Sequence, residues 1–301
     1  LIREVGRGGM GVVFEAEQES LGRRVAVKVL PRQTLLEPSH LERFRREART
    51  AARLHHTNIV PVFGVGDADG YHYYVMQLIH GTGLDELMKT AHAGLAAPDL
   101  TASTSQNPSR RKPDESSQPD NQDSPTAPVT HNETERTGMY VAAESRSVAG
   151  CTQIGTPQYI ARIGIQAGRA LQHAHDHGTL HRDIKPGNLL LDEDGVLWVA
   201  DFGLARAIDL ESQTNSDQLV GTLRYMAPEQ FQNQVDARSD IYSLGLTLYE
   251  LLTGRPAFRS PIRAGLIEQI RHGDLPSPRR LNATVSRDLD TIVQKAIATD
   301  P

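Results

Sequence analysis

In the first 80 residues, apolar positions fall in short runs or strict alternation broken by Gly- and Asp-containing turns, and this predicts strands at 1–5, 12–16, 24–30, 60–65 and 71–78. One stretch breaks the pattern. Leu41, Phe44, Ala48, Ala51 and Leu54 recur at spacings of three and four, so residues 41–54 are expected to form a helix with one buried stripe. From residue 155 onward the balance reverses. Ile163, Ala167, Ala170, Leu171 and Ala174 make a helical stripe that should stop near Gly178. Short strands are expected at 189–191 and 196–200, then helices at 237–252, 262–272 and 286–298. The pattern describes an α+β chain, with a small β-rich lobe followed by a larger, mainly helical one.

Between these parts the pattern vanishes. From Asp99 to Thr134 the only apolar residues are Leu100, Ala102, Ala127 and Val129, in a background of Ser, Thr, Pro, Asn and Gln. Such a stretch buries too little surface to offset the entropy of ordering it, so a disordered insertion is expected at about 96–150. Its basic run Arg110-Arg111-Lys112 is followed by Asp114 and Glu115 and reads as part of a solvated spacer.

Composition narrows the function classes. With 32 Lys and Arg against 37 Asp and Glu, the net charge of -5 and the lack of a long basic block argue against nucleic acid as the partner. No apolar run reaches membrane-spanning length, so no membrane contact is expected within this segment. The single Cys151 excludes an intrachain disulfide and fits a reducing compartment. The chain opens at Leu1 without a signal peptide and closes on Asp300-Pro301, and is read as a piece of a longer protein.

Candidate chemistry begins with Gly6-Arg7-Gly8-Gly9-Met10-Gly11-Val12-Val13, a G-x-G-x-x-G-x-V run between two strands. A dinucleotide-binding glycine loop opens a helix, whereas a glycine hairpin folds its backbone over nucleotide phosphates or is simply a turn. Lys28 ends Val25-Ala26-Val27-Lys28, where alternation places Ala26 and Lys28 on one face. Glu47 projects beside the buried stripe of its helix, within reach of Lys28 or, one turn back, of Arg43. His181-Arg182-Asp183-Ile184-Lys185-Pro186-Gly187-Asn188 then precedes Asp201-Phe202-Gly203 and Ala227-Pro228-Glu229.

These motifs, in this order, resemble the eukaryotic-type protein kinases, and the surrounding wording resembles the bacterial Ser/Thr branch most. The resemblance implies a bilobal kinase fold, with an N-lobe at 1–80 and a C-lobe at 81–301 carrying the insertion. It implies ATP and Mg²⁺ as cofactors, protein Ser or Thr hydroxyls as substrate, transient self-association for autophosphorylation, and a cytoplasmic location. Asp183 would be the catalytic base, assisted by Lys185, and Asn188 and Asp201 the Mg²⁺ ligands. Lys28 would bind phosphates, oriented by Glu47, beneath a loop of Gly6, Arg7, Gly8, Gly9, Met10 and Gly11. Val13, Ala26, Met76, Gln77, Ile79 and Leu190 would form the adenine pocket. Thr222 would sit in the substrate loop, and Thr214 and Ser216 are the candidate phosphorylation sites, where a phosphate would pair with Arg182.

Two further expectations follow from the resemblance. Asp240 should hydrogen-bond the backbone of the catalytic loop. Glu229 should lie largely buried, its Arg partner falling past Pro301. The rival readings are a nucleotide-binding pseudokinase scaffold, which would normally lack one of the five catalytic groups present here, and a small-molecule kinase, which the peptide-docking segment around Thr222 disfavours. Two features are read as decoys. Gly155-Thr156-Pro157-Gln158-Tyr159-Ile160-Ala161 echoes the sequence from Gly221 to Ala227 but precedes the catalytic loop, and His173 and His177 stand one turn apart with no third metal ligand beside them.

Overall fold

The computed structural model describes residues 1–8, 11–31, 38–95, 155–202 and 221–299. The expected insertion, Cys151, Gly9, Met10, Thr214 and Ser216 lie outside them. The described chain builds an antiparallel five-stranded sheet, a three-stranded sheet and a set of helices.

The first sheet contains β1 (Arg3–Gly8), β2 (Gly11–Gln18), β3 (Arg23–Val29), β4 (Val62–Ala68) and β5 (Tyr71–Gln77), in the spatial order β1-β2-β3-β5-β4. Alternation sends Val13, Ala26, Tyr74 and Met76 to its inner face, where Phe44 and Ala48 of helix α1 (Pro38–Ala51) cover them. The helix starts earlier than residue 41 and ends at Ala51, yet Leu54 beyond it is still only 2% exposed. Three-and-four spacing reports burial, and here burial outlasts the helix. Strand β4 starts later than expected because Val60 is drawn elsewhere. Its N–H bonds Val199 O at 2.9 Å, and Val199 N–H bonds Asn58 O at 2.8 Å, so residues 58–60 run alongside the second sheet.

That second sheet is β6 (Gly81–Gly83), β7 (Leu189–Asp192) and β8 (Leu197–Val199). Strand β6 and helix α2 (Leu84–Leu95) were not expected. Gly81-Thr82-Gly83 reads as a turn by composition, and α2 runs into the polar stretch that obscures its periodicity. The strand is permitted because Gly81 lies against β7, where a Cβ would stand 2.4 Å from Leu191 O.

Helix α3 (Pro157–Asp176) buries Ile160, Ile163, Ala167, Ala170, Leu171 and Ala174, the expected stripe extended by almost two turns at its start. Thr156 caps it, accepting from Tyr159 N–H, and Pro157 occupies the first turn. The Gly155-Thr156-Pro157 look-alike is therefore a helix start. Helices α4 (Ala237–Thr253), α5 (Arg263–His272), α6 (Pro278–Leu281) and α7 (Arg287–Ala296) complete the larger body. Helices α3 and α4 pack along a face that carries Leu171, Leu246 and Tyr249 into one apolar core.

The two cores meet at the site. Leu190 of β7 and Ala200, which follows β8, belong to the core of the first sheet, while Ile59 and Leu54 belong to the helical core. Asn58 locks the seam, its side-chain amide donating to Gln166 Oε1 at 2.9 Å and to Leu197 O at 2.8 Å.

Gly245 in α4 lies where a Cβ would come within 2.7 Å of Ile297 Cγ2 and 2.9 Å of Ala296 Cβ. Gly245→Val should therefore push α7 away and cost about 2 kcal/mol in chemical denaturation.

Candidate active site

The catalytic loop is shaped by one buried carboxylate. Asp240 in the first turn of α4 is 1% exposed and accepts from the N–H groups of His181 at 2.8 Å and Arg182 at 2.7 Å. His175 of α3 donates Nε2–H to the same carboxylate at 2.8 Å. Burial alone would push the Asp240 carboxyl up, but the His175 hydrogen bond, the nearby His181 ring and the two backbone N–H groups outweigh it and hold the group below the ordinary aspartate value. The backbone bends around these bonds, and Arg182 takes a left-handed φ of 70°. The expected role of Asp240 is the one observed.

His181 then sets the next residue. Its Nε2 lies 2.8 Å from Ala200 O, a pure acceptor, so the ring carries its proton there and Nδ1 accepts from Asp183 N–H at 3.3 Å. Its ring also packs on Phe202, with centroids 4.7 Å apart. Asp183 is buried. Lys185 Nζ stands 2.8 Å from its Oδ2 and 3.1 Å from Thr222 Oγ1, which ties the loop to the segment that follows residue 220.

Asn188 donates its amide N–H groups to Asp183 O at 2.7 Å and Oδ2 at 3.0 Å, which leaves the amide oxygen as its acceptor face. Its own carbonyl accepts from Ala200 N–H at 2.9 Å, so Asn188 is tied to the residue before Asp201. An amide oxygen and a carboxylate are the hard donors a Mg²⁺ ion takes, and this donor set fits the expected cation. Bound there, the ion would neutralise charge on the nucleotide phosphates.

Asp201 has a φ of 63° and a side chain only 6% exposed. Lys28 Nζ lies 2.6 Å from its Oδ2, and the Tyr74 hydroxyl donates to Oδ1. Burial would raise the Asp201 carboxyl, but the Lys28 charge and the bonds from Lys28 and Tyr74 prevail and hold it low. Burial, and then the Asp201 charge, push the Tyr74 phenol well above its ordinary value, so it stays a donor.

The expected Lys28–Glu47 pair is not formed in this structure. Lys28 is held by Asp201, and Glu47 lies 3.7 Å from Arg182 Nη1. Lys28 takes the carboxylate that the fold brings nearest, Asp201, which follows β8. Glu229 is mostly shielded from solvent, as expected. It accepts from Ser239 Oγ at 2.6 Å.

The expected adenine-pocket residues Val13, Ala26, Met76, Ile79 and Leu190 belong to one apolar cluster of the first sheet. Gln77 closes β5, its N–H bonding Pro61 O at 3.0 Å. Gly6, Arg7, Gly8 and Gly11 belong to the β1–β2 hairpin, paired Gly6 to Val13 and Gly8 to Gly11. Gly11 has φ 126° and lies so close to β3 that a Cβ would meet Val29 O at 2.2 Å, so only glycine fits. The sequence reading missed Tyr74, because its place directly opposite Lys28 is set by the pairing of β3 with β5, which residue order does not show. His173 and His177 pack ring to ring at 4.4 Å, and no group among the described residues is arranged to hold a metal ion through three His, Cys, Asp or Glu.

A glycine hairpin against β3, a buried Lys–Asp pair and an aspartate-centred loop joined to a threonine thus stand together among the described residues. The chain belongs to the protein tyrosine and serine/threonine kinase family, which it matches over residues 1–301. It is 32% identical to the serine/threonine-protein kinase PknH of Mycobacterium bovis, over 100% of this chain and 40% of that protein. It is 34% identical to PknB of Mycolicibacterium smegmatis, over 99% of this chain and 39% of that protein. With PrkC of Bacillus subtilis the identity is 30%, over 100% of this chain and 37% of that protein. The chain thus spans about 40% of the length of these relatives. Among solved structures it resembles the Mycobacterium tuberculosis PknI kinase domain, with TM-score 0.61 and 25% identity over 99% of this chain and 87% of that one. No helix among the described residues is long and apolar enough to cross a membrane.

Asp240→Asn should cost about 3 kcal/mol, because it turns an acceptor of three hydrogen bonds partly into a donor. Since the folded-state pKa of Asp240 is depressed, its contribution is full above the unfolded value of about 3.9 and is lost as pH falls towards the folded value. Denaturation curves of the two proteins should accordingly lie far apart at pH 7 and converge below pH ~4.

Proposed function

We propose that the chain is a serine/threonine protein kinase domain, transferring the γ-phosphoryl group of ATP to Ser or Thr hydroxyls of proteins. The observation that carries this reading is the contact series Asp183, Lys185 and Thr222, with Lys185 Nζ at 2.8 Å and 3.1 Å from its two partners. Asp183 accepts the proton of the substrate hydroxyl as that oxygen attacks phosphorus, and Lys185 offsets charge beside it. Thr222 joins the peptide-docking segment to the base, which favours a protein hydroxyl over a small-molecule one. The relatives PknH, PknB and PrkC all carry the serine/threonine name.

ATP would lie between the β1–β2 hairpin and Leu190, its ring among Val13, Ala26, Met76, Gln77 and Ile79. Mg²⁺ would be held by Asn188 and Asp201. Catalysis by this family requires the Lys28–Glu47 pair. The present pairing, Lys28 with Asp201 and Glu47 with Arg182, is then a resting one, and activation exchanges partners. Phosphorylation of Thr214 or Ser216 by a transiently associated second copy would offer Arg182 a phosphate in competition with Glu47. The domain would act in the cytoplasm.

Incubation with labelled ATP and Mg²⁺, alongside Asp183→Asn, tests the reading. Phosphoryl transfer to Ser or Thr should fall about 10²- to 10⁴-fold in the variant, with nucleotide affinity retained. Equal labelling of both proteins would refute the assignment of the base. Nucleotide binding without transfer in the wild-type chain would favour the pseudokinase scaffold.

A further inference from the structure

The register of the first sheet puts on Asp201 a second donor that the kinase sequence motifs do not name. Lys28 of β3 and Tyr74 of β5 are direct cross-strand partners, so their side chains leave the same face. Both reach Asp201, Lys28 at Oδ2 and Tyr74 at Oδ1.

The two donors differ in freedom. Lys28 carries its charge on a flexible four-carbon stem, and nucleotide phosphates compete with Asp201 for it. The Tyr74 ring is 1% exposed and lies against Phe44 of α1, with centroids 6.4 Å apart. A phenol has two side-chain torsions, and here packing fixes both. When Lys28 moves to phosphate, Tyr74 therefore remains on Oδ1.

We propose that Tyr74 is a positioning residue for Asp201, holding Oδ1 so that the carboxylate keeps one orientation and leaves Oδ2 to the divalent cation. This rests on the reading of Asp201 as a cation ligand. Hydrogen bonds to a ligating carboxylate orient it, and their loss commonly lowers metal affinity about 10- to 100-fold. The hydroxyl is the active part of the side chain, since the ring alone would fill the same space.

Equilibrium binding of a fluorescent ADP analogue, titrated with Mg²⁺, tests this in the wild-type chain, Tyr74→Phe and Phe44→Leu, with thermal unfolding of each as a check of folding. Tyr74→Phe keeps the ring and should raise the half-saturating Mg²⁺ concentration about tenfold, with binding in EDTA unchanged. Phe44→Leu loosens the ring's support but keeps the hydroxyl, and should lower the unfolding midpoint with a clearly smaller rise in the Mg²⁺ requirement than Tyr74→Phe. An unchanged or lower Mg²⁺ requirement in Tyr74→Phe would overturn the proposal, and so would an equal rise in Phe44→Leu. If wild-type binding ignores Mg²⁺, the cation assignment itself fails and the proposal falls with it.

Discussion

A carboxylate withdrawn from water must be met by donors, and in this chain the demand of Asp201 organises the contact between sheet and helices. Its partners, Lys28 and Tyr74, come from adjacent strands of the first sheet, while Asp201 itself follows β8. The pair Lys28 and Asp201, each under a tenth exposed, costs desolvation that only close geometry offsets. Such a pair is a poor source of stability, because desolvation of both charges offsets much of their attraction.

Asp240 applies the same rule within the larger body. Three donors converge on it from α3 and from the two residues before Asp183, so the catalytic loop is held by helix positions distant in sequence. The apolar stripe of α3 and the buried face of α4 bring His175 and Asp240 together. The site inherits its rigidity from that packing, and a reacting group so held loses little freedom when substrate arrives.

Much of this arrangement is local and therefore legible in residue order. Alternation at 24–30 and 71–78 marks β3 and β5, the spacing of Ile163, Ala167 and Ala174 marks α3, and the glycine and aspartate motifs name most groups of the site. Strand β6 and the start of β4 were not legible. A three-residue strand at Gly81 and a delayed strand after Val60 exist because β7 and β8 offer hydrogen bonds there, and those partners lie more than 100 residues away.

The charge pairing divides along the same line. Residue order alone determined that the chain carries Lys28, Glu47, Asp183, Asn188 and Asp201 on elements of the right type, because strand and helix periodicity are properties of short segments. Which carboxylate Lys28 takes, that Glu47 meets Arg182, and that Tyr74 joins Lys28 on Asp201 were decided only by the tertiary structure. Electrostatic energy in a buried site depends on separation and burial, and both are set by how distant segments pack.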